Sequence, residues 1–285
     1  MQLQIVLVSA AAILSYQCAH AWSFGKILQR SINAAPEALT SIAAPLLLST
    51  TLLSGVAAAD ASVLNRDVYF GVGCFWHVQH EFVMAEQQIL GRDSDEITAA
   101  AGYAGSKNLF QDPSDASNSG KVCYHNRQRV GDYGKLGHGE VVGLQIPQTK
   151  ESISAFAKEY FALFKNGDRP DLGDRGPEYR SLIGLPGGMD NPFFSVIEEE
   201  AKQKGIKLVP GQGNDADTSG KRIVWVMNSE QYPFYQAEIY HQFHDGFMPG
   251  ENYPVSYNAL VKAAFKDGRI TSTGCPDIDV NLLLK

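Results

Sequence analysis

The residues best suited to chemistry lie in the GCFWH segment at 73–77, where the lone Cys74 is followed by Phe75 and Trp76. A thiolate is a strong nucleophile, and a helix N-terminus stabilises its charge. The two aromatic rings would form an apolar wall, which suits a substrate with a small apolar group beside a polar reacting atom. The segment therefore predicts a nucleophilic cysteine. The alternative is a small buried hydrophobic residue with only a packing role.

Two further segments carry polar groups that suit such a nucleophile. Glu140 opens an otherwise apolar strand in the GHGEVV segment at 137–142. Beside a thiol in an apolar pocket the pKa of this carboxyl would rise, and the group would hold a proton near neutral pH. Tyr179, in the DRGPEYRS segment at 174–181, offers an O–H donor. A thiol and an acid together suit attack on an electrophile whose oxygen leaves as hydroxide or water, whereas the simpler interpretation is a solvated carboxylate and a loop of ion pairs.

The elements that position these groups are predicted to alternate between strand and helix from Asp67 onward. A short β-rich run at 68–72 leads through two glycines into apolar residues at helical spacing over 77–90, so Cys74 is placed at a strand-to-helix junction. Further strands are predicted at 97–103, 140–146 and 221–227. Further helices are predicted at 153–164 and from the Asn191-Pro192 pair to Gly205. The polar stretches 106–121 and 211–220 are predicted to be surface loops.

Length, charge and cysteine content restrict the class of protein. A chain of 285 residues with 44% hydrophobic content can bury a sizeable core, and one main domain is expected. The net charge is -7 and no stripe of Lys and Arg is present, which argues against nucleic acid as a partner. The four cysteines are too few and too widely spaced for a disulfide scaffold, and no CxxC or His-rich spacing indicates a zinc site.

The first 61 residues differ in composition from the rest and are predicted to be targeting sequence. An apolar stretch at 5–14 precedes the small-x-small pattern Ala19-His-Ala21, which predicts a signal peptide over residues 1–21. A second apolar run at 42–59 ends in Ala59-Asp-Ala61, which again has the pattern of a cleavage site. We therefore expect a second targeting segment at 22–61 and a catalytic domain with a C-terminal tail at 62–285.

Two signals in series, with Trp22 directly after the first, resemble the bipartite plastid presequence of algae with complex plastids. The resemblance implies a plastid location, with the second signal addressing the thylakoid lumen; the alternative is the secretory pathway or an extracellular location. The second run could instead be a membrane anchor, but Pro45, Gly55 and many small residues make it weak for spanning roughly 30 Å of hydrocarbon. No stable membrane anchor is expected.

Four segments together resemble the peptide methionine sulfoxide reductase A family. GCFW at 73–76 is similar to the active-site signature of that family, whose usual form is GCFWG or GCFWH. The HGE at 138–140 resembles its HAE or HTE segment, residues 174–181 its DxGxQYRS segment, and AEIYHQ at 237–242 its AExYHQ segment. They occur in the family's order between Asp67 and about Phe243.

The resemblance implies a two-layer α/β sandwich with a mixed sheet, and reduction of methionine S-sulfoxide in proteins and in the free amino acid. It implies that a thiolate attacks the sulfoxide sulfur and ends as a sulfenic acid. The implied roles are Cys74 as nucleophile, Phe75 and Trp76 as the methyl pocket, Glu140 as the acid, and Asp174 and Tyr179 as organisers of the pocket. No metal or organic cofactor is expected. The expected partners are oxidised methionine-containing proteins and thioredoxin or a similar thiol donor, with the chain acting as a monomer.

The resemblance also bears on the thiol that resolves the sulfenic acid. Cys275 lies near the end of the chain, where mobile tails carry recycling cysteines in many relatives, and is expected to be the resolving cysteine. Cys18 is expected to be lost with the signal, and the family counterpart of Cys123 is generally not required for turnover. A second tyrosine of many relatives is replaced here by Ser119, so that Tyr124 or Tyr133 is the candidate for its hydroxyl.

Two other functions remain open from the sequence. The Phe75 and Trp76 pair would also serve as an aromatic clamp in a module that binds methionine-containing or cationic ligands without catalysis. Cys74 would alternatively be the nucleophile of a thiol hydrolase, but no His-Asn or His-Asp pair can be assigned to it. Turnover of methionine sulfoxide with dithiothreitol separates a reductase from both.

Overall fold

The computed structural model describes residues 66–169, 173–245 and 253–276. Within these ranges the chain forms seven β-strands and four α-helices. The strands are β1 (Val68–Gly71), β2 (Ala100–Ala104), β3 (Gly139–Leu144), β4 (Leu182–Leu185), β5 (Lys207–Pro210), β6 (Ile223–Asn228) and β7 (Tyr235–Gln236). The helices are α1 (Phe75–Leu90), α2 (Lys150–Ala162), α3 (Phe194–Gln203) and α4 (Val255–Lys266).

The seven strands form one mixed sheet in the order β5-β6-β4-β1-β3-β2-β7. The central strand β1 runs antiparallel to both β3 and β4. Strand β2 pairs antiparallel with β3 and β7, whereas β6 runs parallel to β4 and β5. This arrangement confirms the predicted α/β fold with a mixed sheet.

Side chains alternate between the two faces of the sheet, as the pleat of a strand requires. Phe70 of β1 belongs to the main core, where its ring stacks on Phe82 of α1 with centroids 4.8 Å apart. Phe82 in turn stacks on Phe156 of α2 at 6.2 Å. The neighbouring Tyr69 faces the other way and joins a smaller cluster that includes Leu182. Each such buried ring contributes roughly 1.5–3 kcal/mol, so α1 is held firmly against the sheet.

Local signals set the ends of the helices close to the predicted positions. Thr149 precedes α2, and its hydroxyl accepts a hydrogen bond from the backbone N–H of Ser152 at 3.2 Å. Gly91 ends α1 in the left-handed conformation at φ 67°. Helix α3 begins at Phe194 and not at the predicted Asn191-Pro192, because the side chain of Asn191 caps a turn by accepting from the N–H of Phe193 at 2.9 Å.

No helix of the described ranges is long and apolar enough to cross a membrane. The predicted signal peptide at 1–21 and the second targeting segment at 22–61 lie outside the described residues.

Candidate active site

Cys74 occupies the N-cap position of the 16-residue helix α1. The preceding Gly73 has a φ of 89°, a left-handed conformation that favours glycine, and a Cβ there would lie 3.1 Å from Oδ2 of Asp174. The same carboxylate oxygen accepts a hydrogen bond from the backbone N–H of Cys74 at 2.9 Å. The turn therefore places the cysteine at the positive end of the helix dipole, which favours negative charge.

Glu140 lies fully buried on β3 and reaches the same end of α1. Its Oε2 accepts a hydrogen bond from the backbone N–H of Phe75 at 3.0 Å, and its Oε1 accepts one from the hydroxyl of Tyr133 at 3.1 Å. Burial raises the pKa of Glu140 to about 8, the hydrogen bond from Phe75 acts in the opposite direction, and the charge of Asp174 raises it further. The carboxyl therefore holds a proton at neutral pH, and it lies against the backbone of Phe75.

Asp174 and Tyr179 of the DRGPEYRS segment are both buried at this site. The carbonyl of Tyr179 accepts a hydrogen bond from the N–H of Gly73 at 3.2 Å. Its hydroxyl has no hydrogen-bond partner among the described residues. Burial, followed by the charge of Glu140, raises the pKa of Tyr179 above its ordinary value of 10.0, so the hydroxyl stays protonated. A buried O–H donor is thus left for the oxygen of a ligand.

Arg180 fixes the loop that carries Tyr179. Its guanidinium is buried, and Nη2 donates to the carbonyls of Gly105 and Gly137 at 3.1 and 2.9 Å. Nη1 donates to the carbonyl of Pro177 at 2.7 Å. The arginine therefore ties the segments that follow β2, precede β3 and precede β4 to one point. Arg180 belongs to the DRGPEYRS segment, but no role was predicted for it.

Phe75 and Trp76 are both buried. They form the first turn of α1 and pack against the 239–244 segment. The ring of Phe75 lies 5.2 Å from that of His241, and the ring of Trp76 lies 4.2 Å from that of His244, both measured between centroids. Burial lowers the pKa of His241 to about 3, so its ring is neutral. The apolar wall is therefore part of a packed aromatic cluster.

Gln242 explains why the AEIYHQ segment lies over this cluster. Its side-chain amide donates to the carbonyls of Ala101 and Ala237 at 2.9 and 3.0 Å. Its Oε1 accepts from the N–H of Ala101 at 3.0 Å and from the amide of Gln79 on α1 at 3.1 Å. These bonds attach the segment to both β2 and α1, which holds His241 against Phe75.

Tyr133 supplies the hydroxyl that is hydrogen-bonded to Glu140, where the sequence left a choice between Tyr124 and Tyr133. The residue lies in a run of turns before β3, and its N–H donates to the carbonyl of Cys123 at 2.8 Å. Burial raises the pKa of Tyr133 well above 10.0, so it also remains a neutral donor. No motif marks position 133. Only the fold brings this hydroxyl to the carboxyl.

Cys275, the predicted resolving cysteine, forms a disulfide with Cys123. Cys123 also forms an isolated β-bridge with Asp132. Resolution of a Cys74 sulfenic acid by Cys275 stays a prediction, because thiol–disulfide exchange can pass a disulfide from one cysteine pair to another.

A partly exposed ion-pair network holds the segment between the disulfide and Tyr133. His125 Nδ1 lies 3.1 Å from Oδ2 of Asp132, and Nε2 lies 3.2 Å from Oε2 of Glu178. The hydrogen bond with Glu178 is the main cause that raises the pKa of His125 to about 9, while burial acts in the opposite direction. Both ring nitrogens thus have carboxylate partners, so the network serves to anchor the segment.

Comparison with known proteins identifies a distant relative. No protein-family model matches the sequence. Over 189 residues the chain is 26% identical to a peptide methionine sulfoxide reductase MsrA from Trichodesmium erythraeum (strain IMS101). The match covers 66% of this chain and 86% of that protein. It supports a distant relationship to the methionine sulfoxide reductases, and hence an oxidoreductase.

Proposed function

We propose that the protein reduces methionine S-sulfoxide in oxidised proteins, and in the free amino acid, with Cys74 as the nucleophile. The observation that carries the proposal is the meeting of three groups at the N-terminus of α1. These are the N-cap cysteine, the protonated Glu140 and the buried hydroxyl of Tyr179, which has no hydrogen-bond partner among the described residues. We also assign residues 73–77 to the GCFWH form of the family signature.

The reaction follows from these positions. The Cys74 sulfur attacks the sulfoxide sulfur while Glu140 gives a proton to the sulfoxide oxygen and Tyr179 donates a hydrogen bond to it. The oxygen leaves the substrate, and in the net reaction the Cys74 thiol becomes a sulfenic acid. Two electrons pass from the cysteine sulfur to the substrate sulfur, which becomes the thioether of methionine. Asp174 positions the nucleophile through the backbone N–H of Cys74.

The aromatic cluster supplies the apolar contact for the substrate. Phe75 and Trp76 lie next to Cys74 in the chain and stand within the packed rings of the 239–244 segment. A methyl group beside the reacting sulfur loses water on contact with such rings, which favours methionine sulfoxide over more polar sulfoxides. Because the hydroxyl of Tyr179 must meet the oxygen on the other side, one epimer at sulfur is favoured.

A thiol donor completes the proposed cycle. A second cysteine thiol, for which Cys275 is the candidate, displaces water from the sulfenic acid and forms a disulfide. Thioredoxin or a similar dithiol then opens that disulfide and restores the protein. This cycle requires no metal or organic cofactor, and we expect the chain to act as a monomer.

Separated epimers of methionine sulfoxide test the proposal. The full-length protein, a peptide carrying the S or the R sulfoxide and dithiothreitol are incubated, and methionine formation is followed by mass spectrometry. Turnover of the S epimer alone is expected. Cys18→Ser, a matched change in the predicted targeting segment, should keep that activity. Binding of the peptide without turnover would instead favour a binding module, and turnover of the R epimer would overturn the assigned geometry.

We further propose that residues 1–61 direct the protein to the plastid of an alga with complex plastids, and from there to the thylakoid lumen. The two apolar runs and their small-x-small ends support this proposal. A fluorescent protein fused after residue 61 should enter the plastid in such an alga. Secretion of the fusion to the medium would favour the alternative secretory location.

A further inference from the structure

A second buried carboxyl, that of Glu238, lies beside the Cys123–Cys275 disulfide. One of its carboxylate oxygens and the two sulfur atoms all lie within 4.8 Å of one another. Over such a distance a proton passes between a carboxyl and a thiol after a small side-chain movement or through one water molecule. The group is thus placed where thiol chemistry would release or require protons.

Among the described residues, two donors hold the carboxyl of Glu238 in this place. Its Oε2 accepts from the hydroxyl of Tyr103 at 2.8 Å, and its Oε1 accepts from the backbone N–H of Tyr124 at 2.8 Å. Tyr124 directly follows Cys123 in the chain, so the second bond ties the carboxyl to the backbone that carries the disulfide. Because burying a carboxyl costs free energy, its fixed position next to two sulfur atoms calls for a role.

The two cysteines differ in their exposure to solvent. Cys123 is fully buried, whereas Cys275 is partly exposed. The backbone of Cys123 is bonded on both sides, since its N–H donates to Gly131 at 2.7 Å and its carbonyl accepts from Tyr133 at 2.8 Å. Cys275 is therefore the more accessible target for an external thiol, which makes the buried Cys123 sulfur the leaving group.

We propose that Glu238 transfers the proton in thiol–disulfide exchange at Cys123–Cys275. The thiolate of a dithiol reductant attacks the Cys275 sulfur and forms a mixed disulfide, while the bond to Cys123 breaks. The departing Cys123 sulfur takes the proton of the Glu238 carboxyl. The second thiol of the reductant then attacks the mixed disulfide and releases Cys275. Two electrons and two protons pass from the reductant to the protein.

The reverse reaction uses the same group. When the Cys123 thiol attacks a disulfide, the Glu238 carboxylate takes its proton, because a buried thiol does not ionise readily without an acceptor. The inference rests on the proposed function only for its purpose, which is to return electrons to the cycle of Cys74. The exchange itself requires neither a sulfoxide nor Cys74.

The test measures how fast dithiothreitol reduces the disulfide in the oxidised full-length protein without any sulfoxide. Samples are quenched with acid and alkylated, and peptide mass spectrometry counts the thiols at Cys123 and Cys275. At pH 7, Glu238→Gln is expected to slow the reduction by about 10- to 100-fold, at the lower end of acid–base contributions. Re-formation of the disulfide in a glutathione buffer should slow by the same factor, and the equilibrium between the two forms should remain unchanged.

The pH dependence separates proton transfer from a structural role. The ionisation of dithiothreitol affects both proteins equally and cancels in the ratio of the wild-type rate to the variant rate. That ratio should change with pH, because only the wild type has a carboxyl at position 238 that can gain or lose a proton. Equal rates at all pH values, or a changed equilibrium with an unchanged rate, would overturn the proposal. So would an oxidised protein that lacks the Cys123–Cys275 disulfide.

Two further variants control for folding. Glu86→Gln makes the same change at a fully buried carboxyl on α1, which accepts from the N–H of Thr98 at 2.7 Å, and should leave the exchange rate unchanged. Equal slowing by this variant would contradict the proposal. If Glu238→Gln does not fold, Tyr103→Phe removes one donor to the carboxyl and keeps the carboxyl itself. The pH profile of the reduction rate should then differ from that of the wild type, and an unchanged profile would count against Glu238.

The Cys74→Ser protein distinguishes a failure of this inference from a failure of the proposed function. It carries the same disulfide and should show the same dependence on Glu238. An effect of Glu238→Gln in this background supports the proton transfer even if the protein reduces no sulfoxide. Loss of the effect there would mean that Glu238 acts on Cys74, which contradicts the proposal.

Discussion

Two buried carboxyls in this protein are held in the same way but lie in different surroundings. Glu140 accepts hydrogen bonds from the hydroxyl of Tyr133 and from a backbone N–H, and Glu238 accepts them from the hydroxyl of Tyr103 and from a backbone N–H. The two tyrosine rings stack on each other with centroids 4.5 Å apart. Each carboxyl therefore accepts a hydrogen bond from one member of a stacked tyrosine pair.

The surroundings of the two carboxyls differ. Glu140 lies at the N-terminus of α1 beside the backbone of Phe75, near the Tyr179 hydroxyl that has no partner within the described ranges. Glu238 lies beside a disulfide of the protein itself. The first arrangement leaves hydrogen-bonding capacity for an outside molecule, and the second is directed at the protein's own sulfur atoms. The carboxyls are held alike, so the groups around each one set the two proposed reactions apart.

Cys74→Ser should have the largest effect. It should abolish methionine sulfoxide reduction but leave thiol–disulfide exchange at Cys123–Cys275 unchanged. A hydroxyl cannot form a sulfenic acid, so methionine sulfoxide reduction should fall more than roughly 10³-fold. Methionine formation measures the loss, and circular dichroism measures whether the fold is kept. Reduction of Cys123–Cys275 should proceed at the wild-type rate. Near-normal sulfoxide turnover in this variant would contradict the role of Cys74.

Glu140→Gln should follow, with a loss of about 10²- to 10⁴-fold in the rate of a single turnover. The folded carboxyl has its pKa raised to about 8, so its acid form is present below that pH and is lost as pH rises through it. Wild-type activity should therefore fall above pH 8, after correction for ionisation of the thiol donor. The variant should lack this decline. A wild-type pH profile in the variant would contradict the role of Glu140 as the acid.

Tyr133→Phe should have a smaller effect, and comparison with Tyr103→Phe distinguishes the roles of the two tyrosines. One hydrogen bond to a carboxyl is worth about 1.5 kcal/mol, which corresponds to a loss of about tenfold in rate. Without this donor the pKa of Glu140 should rise further, so the alkaline decline should move to higher pH. Tyr103→Phe is the matched control and should change sulfoxide reduction less than about threefold. Equal effects on sulfoxide reduction would mean that the stacked rings act as one unit.

Sequence patterns identified the groups that belong to short motifs at the ends of elements. Cys74 was predicted to lie at a strand-to-helix junction, and it caps α1. Glu140 was predicted to have a raised pKa if it lay beside the thiol in an apolar pocket, and burial raises its pKa to about 8. The position of Cys74 follows from local periodicity, which the order of residues records directly.

Contacts between groups that are far apart in the chain were not predicted. Cys123 and Cys275 are 152 residues apart, and the role of Glu238 depends on both of them. Tyr133 was one of two candidates because no motif contains it. Strand β4 was not predicted because four residues after a charged loop carry too little alternation to stand out. These contacts are set by sheet order, which periodicity does not specify.

The smallest expected effect concerns the segment that joins the two sites, which His125 anchors to Asp132 and Glu178. The pKa of His125 is about 9 in the folded chain and about 6.5 when unfolded, so its stabilisation is fully present below pH 6.5 and is lost as pH rises through 9. Because the pairs are partly exposed, the contribution should be at most about 1 kcal/mol, or a few degrees in melting temperature. The melting temperature of the wild type should therefore fall further between pH 6.5 and 9 than that of His125→Gln. Other titrating groups affect both proteins equally and cancel when the two falls are compared. Both reactions should change less than about threefold, because each carboxyl keeps its two donors; a larger change in one reaction alone would show that the segment positions that carboxyl.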